Sequence, residues 1–210
     1  MTPTDVLGNI KLHNGDCMEV MKTFKDKQFD LAIVDPPYGM PKDSTHGRGK
    51  LKNRILNNGG VERWDKAPSG DFFKELFRVS ENQVIWGGNY FDLPPTRGII
   101  CWDKMQPWEN FSQIEYAWTS FSMPAKLFRF DNRKGGKIHP TQKPVDLYKW
   151  LLQNYAKEGD TILDTHFGSL SIGIACHDMK FDLTAIELDK DYYEQAKKRL
   201  INHQKQLQLF

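Results

Sequence analysis

Short apolar, β-branched runs alternate with amphipathic stretches along this chain, and that alternation restricts it to helices packed on a mostly parallel sheet. Strands are predicted over 10–14, 29–35, 83–87, 98–102, 115–121, 126–130, 161–164 and 183–187. Helices are predicted over 17–24, 71–79, 144–156, 169–178 and 190–206. Pro144 suits a first helical turn, where its missing N–H is not needed, and Leu147, Trp150, Leu151 and Tyr155 then share one face. The 210 residues read as one domain, residues 1–210, with no internal repeat.

Composition closes several routes. No apolar run approaches the ~18 residues that span a bilayer, and Met1-Thr2-Pro3-Thr4-Asp5 lacks the regions of a signal peptide, so a cytoplasmic protein is expected. Cys17, Cys101 and Cys176 are scattered, which indicates neither a disulfide framework nor a thiolate zinc site. The six histidines show no paired ligand spacing, so no metal is expected. A formal charge of +2 says little about partners, because nucleic-acid binding needs a local basic surface. Two stretches supply one. Residues 40–70, rich in Gly and Asn, carry Arg48, Lys50, Lys52 and Arg54 and read as a mobile DNA-contacting insertion loop, and residues 131–143 add Arg133 and Lys134.

The most informative tetrapeptide is Asp35-Pro36-Pro37-Tyr38, at the end of the apolar run Leu31-Ala32-Ile33-Val34. A strand ending in Asp-Pro-Pro sets a carboxylate at the carboxyl edge of the sheet, where open α/β sheets bind ligands. The prolines fix φ and leave backbone carbonyls without a competing ladder, so the Asp35 carboxylate and the Pro36 carbonyl can both accept from one amine. Tyr38 adds a face on which a base can stack.

This tetrapeptide resembles the catalytic motif of the S-adenosylmethionine-dependent amino-methyltransferases that modify exocyclic amines of DNA bases. In that family the Asp form is typical of adenine N6 enzymes, and cytosine N4 members usually carry Ser there.

A donor pocket is then required, and 159–169 offers one. Asp164 closes a strand, and Thr165-His166-Phe167-Gly168-Ser169 turns into a helix. A carboxylate and a glycine turn in that order let a ligand approach the backbone while the acid meets a cation such as an α-ammonium. Glu187, closing the next strand before Leu188, is placed to hold ribose hydroxyls.

The run His139-Pro140-Thr141-Gln142-Lys143-Pro144 is similar to the segment preceding the cofactor motif in the permuted β class, where the catalytic motif comes first. The resemblance implies a Rossmann-like fold with circularly permuted motif order. It also implies a donor site of Asp16, Asp35, Thr141, Gln142, Lys143, Asp164, Phe167, Gly168, Ser169, Glu187 and Leu188, with Asp16 at the adenine and 141–143 along the methionine carboxylate. Segments 86–90, 102–104 and 115–118 are similar to prophage-type members.

The expected function is transfer of a methyl group to N6 of an adenine swung out of double-stranded DNA, as in restriction-modification. Tyr38 with Trp86 or Tyr90 would wall the base, while Trp102, Trp118 and Trp150 read as core. Carbon methylation is excluded, because it needs a Pro-Cys nucleophile. Two alternatives stay open. One is cytosine N4 as the target. The other is a DNA-binding protein with a degenerate donor pocket, because Leu170 stands where the family has its second glycine and would crowd the turn. So small a target-reading surface implies either a homodimer sharing the DNA or modest site specificity.

Overall fold

A computed structural model describes residues 2–39, 67–107, 112–131 and 142–206. Its nine strands are β1 (Asp5–Leu7), β2 (Ile10–Asn14), β3 (Phe29–Val34), β4 (Ser80–Trp86), β5 (Ile99–Asp103), β6 (Ile114–Thr119), β7 (Lys126–Arg129), β8 (Thr161–Asp164) and β9 (Asp182–Glu187). The helices are α1 (Cys17–Met21), α2 (Gly70–Val79), α3 (Val145–Tyr155), α4 (Ser171–Met179) and α5 (Lys190–Gln204). All described strands join one sheet in the order β1-β2-β9-β8-β3-β4-β6-β5-β7. The centre, from β2 to β4, is parallel. An antiparallel β1 flanks it on one side and the antiparallel pairs β4–β6 and β5–β6 on the other.

Burial on both faces explains the near-continuous apolar runs of the central strands. Ile10, Leu12, Leu31, Ile33, Trp86 and Trp102 pack with α3, α4 and α5. Ala32, Val34, Ile85, Leu163 and Ile186 pack with α1 and α2, chiefly through Val20, Met21, Phe72 and Leu76. The chain winds outward in opposite directions from the β8–β3 seam, where Leu31 pairs with Ile162 and Ala32 with Leu163. Such a switch point opens a crevice beyond the carboxyl ends of the strands. Asp35 follows one of those ends and Asp164 closes the other.

Several expected boundaries move, each for a local reason. Strand β4 starts at Ser80, earlier than expected, because α2 runs into it directly and the Ser80 hydroxyl donates to Leu76 O at 2.6 Å. Pro144 is the N-cap of α3, in extended conformation, and lies outside the first turn. The helix expected from 169 begins at Ser171, because Leu170 adopts a left-handed conformation with φ 56°. The helix expected over 17–24 stops after Met21. Strand β1, three residues long, and a 3-10 turn at Gly88–Tyr90 are additions. No described helix is long and apolar enough to cross a membrane.

Candidate active site

The Asp35 carboxylate is held from two sides. The Tyr38 hydroxyl donates to Oδ1 at 2.8 Å, and the Lys143 ammonium contacts Oδ2. Burial, and then the Asp35 charge, hold the Tyr38 phenol far above its ordinary range, so it stays a donor. Its ring stacks on Tyr90 with centroids 4.9 Å apart and an interplanar angle of 18°. Gly87, at φ 70°, makes room for it. A β-carbon there would lie 2.2 Å from Tyr38 Cε1. Tyr90 is 47% exposed and stands as an outer wall. Trp86, by contrast, is fully buried and cannot wall a base, which corrects that expectation. Trp102 and Trp118 are buried, and Trp150 packs against the core, as the sequence suggested.

Lys143 is 4% exposed and was expected along a methionine carboxylate; instead its ammonium pairs with Asp35 and lies 3.1 Å from Glu115 Oε2. It also sits 5.0 Å from the centre of the Trp86 ring. Burial pulls its pKa down, but Asp35 and Glu115 more than offset that and it lies above the ordinary lysine range. Glu115 was not singled out by sequence reasoning as a site residue. Its signals were an acid near the start of a strand and its place in the segment 115–118 that is similar to prophage-type members. Glu115 Oε1 is 2.6 Å from Lys104 Nζ, and the two lysines hold Glu115 low despite its burial.

Asp164 is 2% exposed and accepts the His166 N–H at 3.0 Å, and no cation pairs with it among the described residues. Burial pushes its pKa up to about 8, helped by the charges of Asp35 and Glu187. Beyond it the chain turns through Gly168, at φ 49°. The Gly168 N–H donates to Glu187 Oε2 and the Asp189 N–H to Glu187 Oε1, both at 2.9 Å. Arg199 of α5 braces the turn from behind, donating to Ser169 O at 2.7 Å and Ser171 Oγ at 3.0 Å. Ser169 is buried, whereas Leu188 is 65% exposed and forms an apolar ledge beside Glu187.

Other expected site residues fall differently. The Phe167 ring is buried against Tyr193, 5.8 Å away, so it supports the turn from the core and does not face a ligand. Asp16 caps α1, with Oδ1 accepting the Met18 N–H at 2.7 Å, and remains exposed. Gln142 is half-buried. His166 packs edge-on against Phe72. Its ring lies 5.4 Å from Phe72, with Nδ1 2.9 Å from Thr165 Oγ1, and burial pulls its pKa down to about 4, so it is neutral. Leu170 does not crowd the turn. Its isobutyl group is buried in the core over Gly173, where a β-carbon would lie 2.6 Å from Leu170 Cγ. Thr141, Arg48, Lys50, Lys52, Arg54, Arg133 and Lys134 lie outside the described residues. An open groove of about 690 Å³ lined by Lys149, Asp178, Arg199 and His203 lies between α3, α4 and α5. It includes neither Asp35 nor Asp164, and the convergent carboxylates rather than size locate the site.

Comparison with known proteins identifies the family. A DNA methylase family model, N6_N4_Mtase, matches residues 103–198. The type II methyltransferase M.HpaI of Haemophilus parainfluenzae is 35% identical, over 88% of this chain and 72% of its own length. The chain belongs to the N6/N4 family of DNA methylases. Among solved structures, the M1.HpyAVI–SAM complex superposes on this methylase with a TM-score of 0.61, at 20% identity, covering 90% of this chain and 99% of that one. The cytosine-N4-specific PvuII DNA methyltransferase gives 0.64 at 13% identity, covering 96% and 93%. At those identities the two structures speak for the shared fold, a Rossmann-like sheet with helices on both faces.

Proposed function

We propose that this methylase transfers a methyl group from S-adenosylmethionine to the N6 amine of an adenine swung out of double-stranded DNA. The observation that carries the reading is the Asp35 carboxylate at the mouth of the β8–β3 seam, beside the stacked Tyr38 and Tyr90 rings. An ionised carboxylate offers about four lone-pair positions, so Asp35 retains acceptor capacity after Tyr38 and Lys143 each take one.

The residues across the seam fit the donor. Asp164 is a buried carboxylate that makes no ion pair among the described residues, although the Lys143 charge reaches it, and an α-ammonium would complete that environment. Each Glu187 oxygen has one backbone donor and keeps a lone pair for a ribose hydroxyl. The turn at Gly168, with no β-carbon, lets a ligand come close to the backbone. Leu188 and Asp16 border the adenine end. When bound, S-adenosylmethionine supplies a sulfonium methyl group as the electrophile.

The chain's residues then act by position and charge. Tyr90 offers its outer face to the extruded base, with Tyr38 held beneath it. The amine hydrogens are accepted by Asp35 and by the Pro36 carbonyl, which favours a pyramidal, more nucleophilic nitrogen. The same acceptors stabilise the positive charge that gathers on nitrogen, and the proton leaves through Asp35 or to water. Asp at this position favours adenine over cytosine, the choice its motif resembles.

Nucleoside mass spectrometry of DNA from an unmodified host expressing the chain tests this. N6-methyladenine is expected, and its loss on Asp35→Ala with donor binding intact assigns the acceptor role. N4-methylcytosine instead would move the target base. Neither product, with no donor binding at millimolar concentration, would leave only a DNA-binding role.

A further inference from the structure

Four charged side chains from separate parts of the sequence form one alternating row: Asp35, Lys143, Glu115 and Lys104. Asp35 leaves β3, Lys143 precedes the cap of α3, Glu115 belongs to β6 and Lys104 follows β5. A buried ammonium requires a counter-ion, and one carboxylate would suffice. Lys143 has two. One of them, Asp35, is the group that must accept the target amine, and an ammonium fixed on Asp35 competes for the same lone pairs. The second carboxylate and the Trp86 face give the ammonium somewhere to go. Cation–π attraction to the ring 5.0 Å away imposes no single hydrogen-bond direction, so Lys143 can shift between carboxylates without losing its hold.

We propose that Glu115 is a positioning residue for methyl transfer, holding Lys143 as an exchangeable counter-ion so that Asp35 stays charged while its lone pairs turn to the amine. This rests on the reading of Asp35 as the amine acceptor. Lys104 anchors the far end, 2.6 Å from Glu115 Oε1, and fixes how much of the Glu115 charge reaches Lys143. The remaining titratable groups that act on or are acted on by Asp35 are Tyr38, Tyr148 and Asp164. The Glu115 charge also reaches Tyr38 and Tyr148, both held as neutral phenols by burial, so Glu115→Gln leaves them protonated across the acidic limb.

The test is the pH profile of single-turnover methyl transfer to duplex DNA, measured on the full chain with saturating S-adenosylmethionine. Glu115→Gln keeps the shape of the side chain and removes its charge, leaving Lys143 to Asp35 alone. The rate on the plateau is expected to fall by about ten- to a hundredfold, donor affinity to stay unchanged, and the acidic limb to move to lower pH. Glu115→Asp restores part of the rate. Lys104→Gln has the opposite effect on the limb: it gives Glu115 wholly to Lys143 and moves the limb to higher pH. That second variant also serves if Glu115→Gln fails to fold. A wild-type rate in Glu115→Gln, or limbs that stay put in the variants that fold, overturns the proposal while Asp35→Ala is inactive. Activity in Asp35→Ala would instead overturn the reading of Asp35 itself.

Discussion

Leu170 sits with its side chain directly over Gly173, in a left-handed backbone conformation that places the isobutyl group in the core and away from the donor turn. Its departure from the family's glycine is therefore accommodated by the missing β-carbon three residues on. Leu170→Gly would relieve about 1 kcal/mol of backbone strain but delete a buried side chain worth about 2–5 kcal/mol. A net destabilisation of about 2 kcal/mol is expected in urea unfolding, with S-adenosylmethionine affinity unchanged by calorimetry. A marked gain in affinity would mean that Leu170 does obstruct the pocket.

With Asp164 as the proposed partner of the donor's ammonium, donor binding and stability are expected to respond to pH in opposite directions. Its pKa of about 8 in the folded protein exceeds the ~3.9 of an unfolded chain, so the folded state holds the extra proton between those values. Stability contributed by this group is full at low pH and declines as pH rises from about 4 to about 8. Asp164→Asn removes the decline and is expected to stabilise the free protein by on the order of 4 kcal/mol at pH 7. Binding a cation needs the carboxylate, so wild-type donor affinity should strengthen from pH 6 to 7.5 with proton release. Calorimetry in buffers of different ionisation enthalpy reads that release, and Asp164→Asn should abolish it together with most of the affinity.

Gly87 leaves room for the Tyr38 ring, the proposed base-binding face. A methyl group there would strike Tyr38 at 2.2 Å and would have to be borne at φ 70°. Gly87→Ala is expected to lower single-turnover methyl transfer by about a hundredfold or more, with donor binding retained. Tyr38→Phe, which loses only the hydrogen bond to Asp35, should cost about tenfold or less. Equal losses in the two variants would show that ring position is unimportant.

His166 acts as a neutral ring. With its pKa near 4 it does not change charge between pH 5 and 8. His166→Phe keeps the edge contact with Phe72 and gives up the hydrogen bond to Thr165. Activity should persist with the same pH profile, and stability should change by about 1 kcal/mol or less. A displaced limb in this variant would assign His166 a proton-transfer role.

The sequence was most readable where an apolar run ended in an acid. Asp35, Asp164 and Glu187 each follow buried strand residues, and the central strands need β-branched character on both faces, so run and terminus are visible together. What stayed hidden depends on direction or on distance. Nothing local says whether the Phe167 ring turns to the ligand or to Tyr193, and packing from α5 decides it. The Glu115–Lys143–Asp35 contacts join three elements with no shared period. Trp86 looked like a wall because it ends a strand near the site, but strand alternation with Ile85 turns it inward. Strand β1 was missed because three residues carry too little pattern.

The β8–β3 seam also governs when the protein can exist. Thr161 Oγ1 donates to Asp30 Oδ2 across 131 residues of sequence, so the two halves of the crevice are synthesised well apart in time. At about 5–20 residues per second, the half that carries Asp35 waits many seconds for its partner strand. That wait exposes the apolar edge of β3 while the rest is made, and pairing at such separation folds slowly. A chain cut short before Thr161 carries the Asp35 side of the crevice without the strand that completes it.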